Sequence, residues 1–251
     1  LGYVPFVTGS TLTDQAIDLW SRDIKFEPER GLILDRHGDV LAENVSAPSV
    51  VVIPRQIEDP QETAEQLASI LNMSEEKAYE YVTRVASSVS IHPEGRKISE
   101  DQEEALRALN LQGVYLAKDS KRHYPYDDYL AHVLGFTGID NQGLMGLELY
   151  HDHMLAGKQG SLSYYSDGKG GRLDQIADIY TPPIDGYHLQ TTIDSKVQAI
   201  IERELNIAVA KYNPDGAIAI AVSPKTGEVL GMSSRPTFSP ENYQEVDQEV
   251  Y

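Results

Sequence analysis

The stretch Arg30-Gly31-Leu32-Ile33-Leu34-Asp35-Arg36-His37-Gly38-Asp39-Val40-Leu41-Ala42-Glu43 decides how this chain is read. Two short apolar runs, 31–35 and 39–43, flank Arg36-His37-Gly38. Gly38 offers the positive φ that a three- or four-residue hairpin loop requires, so a β-hairpin is predicted. The charged residues Arg30, Asp35 and Arg36 are expected to pair with one another and hold the geometry of an extended β region. Interior Arg–Asp networks hold register more than they add stability. Residues 49–54 follow as a buried strand, a β-branched run that stops at Pro54.

Downstream the pattern turns helical. Asp59-Pro60 is a cap followed by a first-turn proline, with Ala64, Leu67, Ala68 and Leu71 facing inward and Asn72 ending the helix. Ser74 caps a second helix whose first turn carries Glu75 and Glu76. Ser99-Glu100-Asp101-Gln102 is a capping box for a third helix running through Leu109. Residues 113–126 read as extended, and 128–156 as helix interrupted by Gly135, Gly138, Gly143 and Gly146. A further hairpin is expected over 160–193 around the glycines at 168–171. Thr181-Pro182-Pro183 with Asp185-Gly186 marks a boundary. Beyond it Asp194 caps a helix with Val197, Ile200, Ile201, Leu205, Ala208 and Tyr212 on one side.

Strands at 217–222 and 228–233 follow that helix. Ile218, Ile220 and Val222 share one face of the first, and Ala217, Ala219 and Ala221 the other, where the helix is the natural cover. In residues 1–25, Leu12, Ala16, Leu19 and Trp20 fit one helical face without a strand pattern, which reads as a short surface helix or a stalk.

The 251 residues carry 21 Lys and Arg against 39 Asp and Glu, a net charge of −18. A nucleic-acid partner is excluded by that balance, and docking on anionic lipid is disfavoured. There is no cysteine, so disulfides, thiol catalysis and Cys-type zinc sites are ruled out. No apolar run approaches the ~18 residues that span a membrane. The chain begins with Leu rather than Met, and is expected to be a fragment whose upstream signal or anchor lies outside it.

Two tetrads match a serine nucleophile with a lysine one turn on, Ser74-Glu75-Glu76-Lys77 and Ser166-Asp167-Gly168-Lys169. Neither is read as catalytic. Ser74 caps a surface helix beside two carboxylates, and Ser166 lies in a glycine-rich turn where no helix would align the lysine. No Ser-x-Asn occurs, and Lys225-Thr226-Gly227 is read as a turn. His151-Asp152-His153 is read as solvated, since on a helix the two imidazoles point about 200° apart. His132 is taken as a satisfied semi-buried histidine, and no metal or cofactor site is predicted.

The residues assembled so far resemble the class B penicillin-binding proteins over about residues 26–251. Residues 30–38 with Leu41-Ala42 are similar to the first motif of their pedestal, or dimerisation, domain. Arg122-His123-Tyr124-Pro125 with His132-Val133-Leu134-Gly135 resembles the second. Gly143 to Glu148 with Tyr150, Leu155, Gly157 and Gly160 resembles the third. Gly186, Thr192-Ile193-Asp194 and Val197-Gln198 are similar to the entry of the transpeptidase domain. Pro224 to Glu228 with Pro236, Phe238, Pro240 and Tyr243 resembles its first hairpin and following loop. His37 departs from the family's usual Asn at the turn. The likeness is strongest to the family's sporulation branch.

The resemblance implies an α+β architecture: a stalk at 1–25, an extended β-rich pedestal with inserted helices at 26–190, and at 191–251 a helix and β-hairpin that begin an α/β transpeptidase domain, stopping before its catalytic serine. It implies a parent that binds penicillin and cross-links peptidoglycan as a serine-type D-Ala-D-Ala transpeptidase, building spore cortex. That parent would be anchored by an N-terminal helix at the outer face of a bacterial membrane, the forespore membrane for a sporulation member. Implied partners are the rest of the transpeptidase domain, a membrane glycosyltransferase and, through the parent, peptidoglycan precursor. Arg30, Gly31, Asp35, Arg36, Gly38, Arg122, Tyr124, Pro125, His132, Gly135, Gly146, Glu148 and Gly157 are the candidate scaffold and partner-contact residues. The alternative is a stand-alone extracellular module that binds protein or glycan.

Overall fold

The computed structural model describes residues 21–165 and 179–245. Its twelve strands, counted among the described residues, fall into four small sheets. β1 (Ser21–Phe26), β2 (Ile33–Leu34), β3 (Val40–Ser46) and β4 (Ser49–Val52) come first. The predicted hairpin is β2–β3, antiparallel with Ile33 opposite Ala42 and Gly38 at φ 93° in the turn. Residues 21–25, expected within a stalk, instead pair along β8 (Gly160–Tyr165), Ser21 opposite Tyr165 and Lys25 opposite Ser161. Backbone pairing here overrides a side-chain pattern that carries no strand alternation. Leu12, Ala16, Leu19 and Trp20 lie outside the described residues, as do Ser166 and the glycines at 168–171.

One lobe forms around α1 (Pro60–Leu71), α2 (Glu75–Thr83) and α3 (Glu100–Leu109). Asp59 caps α1 by accepting from the amides of Gln61 and Glu62, and Asn72 ends it in the left-handed conformation. The Ser99–Gln102 capping box is formed in both directions. These helices lay Leu67, Leu71, Val82 and Leu106 over Val50 and Val52 of β4. β4 pairs on either side with β5 (Val89–Ser90) and β6 (Val114–Ala117).

The central sheet runs β10-β2-β3-β7, with β7 at Ser120–His123 and β10 at Leu189–Gln190. Three short helices, α4 (Ala131–Leu134), α5 (Gly146–Tyr150) and α6 (Asp152–Leu155), lie against it. Leu134, Leu155, Ile33, Leu41 and Ile193 share their core. β8 pairs on its other edge with β9 (Ile179–Thr181). β10 runs parallel to β2, Leu189 beside Ile33, which returns the chain to its starting strand.

Directly after β10, Asp194 caps α7 (Ser195–Tyr212) through the amides of Lys196 and Val197. α7 covers the antiparallel pair β11 (Ala217–Val222) and β12 (Val229–Arg235). The face of α7 that is buried differs from the apolar stripe. Gln198, Glu202 and Leu205 are the buried residues, while Ile200 and Tyr212 are 52% and 70% exposed. The cause is a polar network described below. The alanines of β11 are partly covered, and Ile218, Ile220 and Val222 are exposed on its other face.

Candidate functional site, a buried charge network and a junction

Arg30 leads into β2, and Arg122 stands on β7 across the sheet. Glu148 lies between them, fully buried in the first turn of α5. Its Oε2 accepts from Arg30 Nε at 2.8 Å and its Oε1 from Arg122 Nε at 2.7 Å. Arg30 Nη1 reaches Asp152 Oδ1 at 2.7 Å and the Asn141 carbonyl at 3.0 Å. Asn44 closes the ring: its Oδ1 accepts from Arg122 at 3.0 Å and its Nδ2 donates to the Arg30 carbonyl at 2.6 Å. Two guanidinium groups are thus met by two carboxylates, Glu148 wholly buried and Asp152 at the edge with its side chain a third exposed.

Glycines admit Glu148 to this position. A β-carbon on Gly135, which sits at φ 73°, would stand 1.9 Å from the Met145 carbonyl oxygen. One on Gly146 would stand 2.6 Å from the Gly135 amide nitrogen. The two backbones cross in direct contact, and α5 starts from that crossing. Gly31 meets Tyr187 in the same manner, with a β-carbon 1.9 Å from its carbonyl oxygen.

The turn of the β2–β3 hairpin forms a separate site. Asp35 is fully buried. Its Oδ1 accepts from the amides of His37 and Asp39, and its Oδ2 from the hydroxyl of Ser195 at 2.8 Å and the Ser195 amide at 3.2 Å. The Arg36 amide donates to the Ile193 carbonyl, and His37 Nε2 lies 3.2 Å from Asp194 Oδ2. The hairpin therefore grips the first turn of α7. Arg36 meets Glu228 at 3.7 Å with both side chains about a third exposed, an ordinary surface pair that contributes little. The expected mutual pairing of Arg30, Asp35 and Arg36 is not what forms. Arg30, ahead of β2, reaches α5 and α6 instead, and Asp35, just past β2, reaches α7.

Burial works against the Asp35 charge, yet the Ser195 hydroxyl and the amides of His37, Asp39 and Ser195 hold its carboxyl below the usual range. A lowered folded-state pKa gives stability that is fully present above the unfolded value of 3.8 and is lost as pH falls through the folded value. Asp35→Asn is expected to lower stability at neutral pH and to flatten the acid limb of a urea-midpoint titration. An acid limb as steep as in the parent chain would show that Asp35 is not the linked group.

A third cluster ties α7 to β12. Glu202, fully buried, accepts from Arg235 Nη2 at 2.7 Å, the Ser233 hydroxyl at 2.6 Å and Gln198 Nε2 at 2.6 Å. It also accepts from the amide of Leu130, at 3.3 Å, in the turn before α4. The helix after Asp194 is thereby bonded to the central lobe at two places, Asp35–Ser195 and Leu130–Glu202.

Of the predicted residues, Arg30, Arg122 and Glu148 come together, with Gly135 and Gly146 shaping their enclosure. Asp35, Arg36 and Gly38 form the hairpin turn. Gly157 takes φ 72° after α6, Tyr124 is buried, Pro125 beside it is exposed, and the His132 ring lies edge-on to Phe238 at 5.0 Å. Reading the sequence misses Asn44, Asn141, Asp152, Ser195, Glu202 and Arg235. Gln198 and Glu202 share a helical face four residues apart with Leu205, a polar pair inside a stripe, and that was the available signal. Asp152, read as part of a solvated His-Asp-His run, is a ligand of Arg30. Ser74 is a helix cap that accepts from the Lys77 amide at 3.3 Å. The Lys77 ammonium is bound to Glu94 at 2.7 and 2.9 Å, and that hydrogen bond raises its pKa, so this lysine is no base for Ser74.

Small sheets are thus braced by a buried Arg–Glu–Arg ring, and a capped helix is clamped to a hairpin turn. The chain belongs to the penicillin-binding protein dimerisation-domain family, whose model matches residues 25–191. It is 59% identical over 251 residues to stage V sporulation protein D of Bacillus subtilis, covering all of this chain and 39% of that protein. It is 30% identical over 224 residues to the peptidoglycan D,D-transpeptidase FtsI of Escherichia coli K12, covering 85% of this chain and 37% of that protein. The chain thus spans about two fifths of the length of these relatives. The fold is shared with penicillin-binding protein 2X of Streptococcus thermophilus, at TM-score 0.61 and 23% identity over 92% of this chain and 38% of that one. A peptidoglycan synthetase of Bifidobacterium adolescentis gives TM-score 0.60 and 21% identity over 87% and 44%.

Proposed function

We propose that this chain is the non-catalytic pedestal of a peptidoglycan D,D-transpeptidase of the sporulation type, joined to the first part of the catalytic domain. In this reading residues 26–190 are the pedestal and 191–251 open the transpeptidase domain. The observation that carries it is the clamp of Asp35 on Ser195. A support that must hold a catalytic unit at a set height and angle needs its own core continued into the first helix of that unit, and the clamp does this with a buried carboxylate. The pedestal would stand on the outer face of the membrane, with a membrane glycosyltransferase as partner and peptidoglycan precursor as the substrate of the whole enzyme.

The exposed face of β11 supports the same reading. Ile218, Ile220 and Val222 are 72%, 56% and 51% exposed in a row, and Ile218 borders an apolar groove that runs to Leu130 and Val133. Further strands and helices of the catalytic domain are the natural cover for such a face.

Fluorescent penicillin distinguishes the parts. The 251-residue chain is expected to remain unlabelled, while the sequence extended to the full length of its relatives is expected to be labelled covalently at a serine. Labelling of the 251-residue chain, or none of the extended one, would overturn the proposal.

A further inference from the structure

Directly after β12, residues 236–245 lie against the central lobe. Phe238 is buried there and meets the Phe136 ring edge-on at 5.9 Å. Tyr243 stacks on the same ring at 4.0 Å, with the two planes 13° apart. Ala131 and Met145 complete this small cluster. Polar side chains of the segment follow the same path. Thr237 Oγ1 donates to the Asp128 carbonyl at 3.1 Å, and Ser239 Oγ to Asp127 Oδ1 at 2.9 Å. Glu241 Oε1 accepts from the Tyr124 amide at 3.2 Å and lies 2.7 Å from His123 Nδ1.

The seat of this segment is the surround of the buried ring. His123 and Tyr124 directly follow Arg122, and Phe136 directly follows Gly135, whose crossing with Gly146 admits Glu148. The segment is thus a third attachment, beside Asp35–Ser195 and Leu130–Glu202. Those two hold the helix α7. This one holds the chain as it runs on from β12.

Stability is not what its outer contacts supply. The Glu241 and His123 side chains are both partly exposed, and exposed pairs contribute little. Direction is what they supply. Hydrogen bonds at Thr237, Ser239 and Glu241 fix where the segment lies, and a stacked ring pair fixes how it is turned.

We propose that residues 236–245 are a positioning strap, in which Glu241 and Tyr243 hold the chain leading on to the catalytic serine against β7 and Phe136. The pedestal then sets the place of the nucleophile through this strap. The inference rests on reading the chain as a pedestal joined to a transpeptidase. Glu241 and Tyr243 touch no substrate in it and are positioning residues. In the acylation that reports on them, the serine oxygen bonds the β-lactam carbonyl carbon, the ring C–N bond breaks, and the serine proton ends on the nitrogen. Its rate depends steeply on how the serine oxygen is placed.

The test is the time course of labelling by fluorescent penicillin in the sequence extended to the full length of its relatives. Glu241→Ala and Tyr243→Ala are each expected to lower the acylation rate constant at saturating penicillin about tenfold or more. The final labelled fraction is expected to stay that of the unsubstituted enzyme. Mere loss of folded enzyme would do the reverse, lowering the labelled fraction at an unchanged rate constant. Tyr243→Phe keeps the stacked ring and is expected to acylate at the unsubstituted rate. Glu241 is exposed, so its variant is expected to fold even where Tyr243→Ala does not. An unchanged rate constant in Glu241→Ala, or in a folded Tyr243→Ala, overturns the proposal, and so does Tyr243→Phe as slow as Tyr243→Ala. No labelling of the unsubstituted enzyme would overturn the pedestal reading itself, and the strap with it.

Discussion

Glu148→Gln is expected to destabilise the chain by about 3–5 kcal/mol, the range for breaking a buried ion pair by removing one partner. The loss has a specific structural origin. Glutamine keeps the size of the side chain but offers one acceptor oxygen where the carboxylate offered two. Its amide N–H₂ would face a guanidinium N–H, donor against donor. Arg30 would retain Asp152 and the carbonyls of Asn141 and Glu148, while Arg122 would retain only Asn44 Oδ1. Two buried cations would then be left with the one part-exposed carboxylate of Asp152, which bonds Arg30. Urea unfolding measures this directly as a fall in midpoint at unchanged slope. A loss under about 1 kcal/mol, the level of an exposed pair, would mean that the ring is not a buried ion network at all.

Gly135→Ala is expected to cost about 4 kcal/mol or more, in the range reserved for a few named causes. Two of them act together. Gly135 has φ 73° and ψ −153°, a conformation open essentially to glycine alone. An added methyl would also stand 1.9 Å from the Met145 carbonyl oxygen, a backbone atom with no rotamer to escape into. Gly38→Ala is the internal control. Its φ is 93°, but nothing lies within 4 Å of an added β-carbon, so only the backbone term of about 1–2 kcal/mol applies. Thermal or urea unfolding of the two variants separates strain from collision. Equal losses would show that the crossing of 135 and 146 is looser than its geometry states.

Local structure was legible in the sequence wherever the determining contacts are local. Asp59-Pro60, the Ser99–Gln102 box, and Asn72 and Asp194 set helix ends through groups within a few residues, and these stand as read. Gly38 did the same for the hairpin. Contacts over long separations were not legible. Arg30 finds Glu148 118 residues away and Asp35 finds Ser195 160 residues away, and nothing beside Arg30 or Asp35 tells which carboxylate or hydroxyl will arrive. The α7 stripe misled for a related reason. An apolar period locates the core only when the core is apolar, and Glu202 and Gln198 are buried because Arg235 and Ser233 of β12 meet them. Residues 21–25 misled because a strand that pairs through its backbone with β8 does not have to alternate.

The parallel pairing of β10 with β2 has a mechanical consequence. The chain enters this pair at the start of β2 and leaves it for α7 from the end of β10. Tension between residue 26 and α7 therefore pulls the two strands along their axes in opposite senses. Their hydrogen bonds are loaded side by side rather than peeled one at a time, and the Asp35–Ser195 bond stands in the same line of force. The lobe of α1, α2 and α3 makes neither of the two bonds that hold α7, Asp35–Ser195 and Leu130–Glu202, and so lies beside that line of force rather than in it.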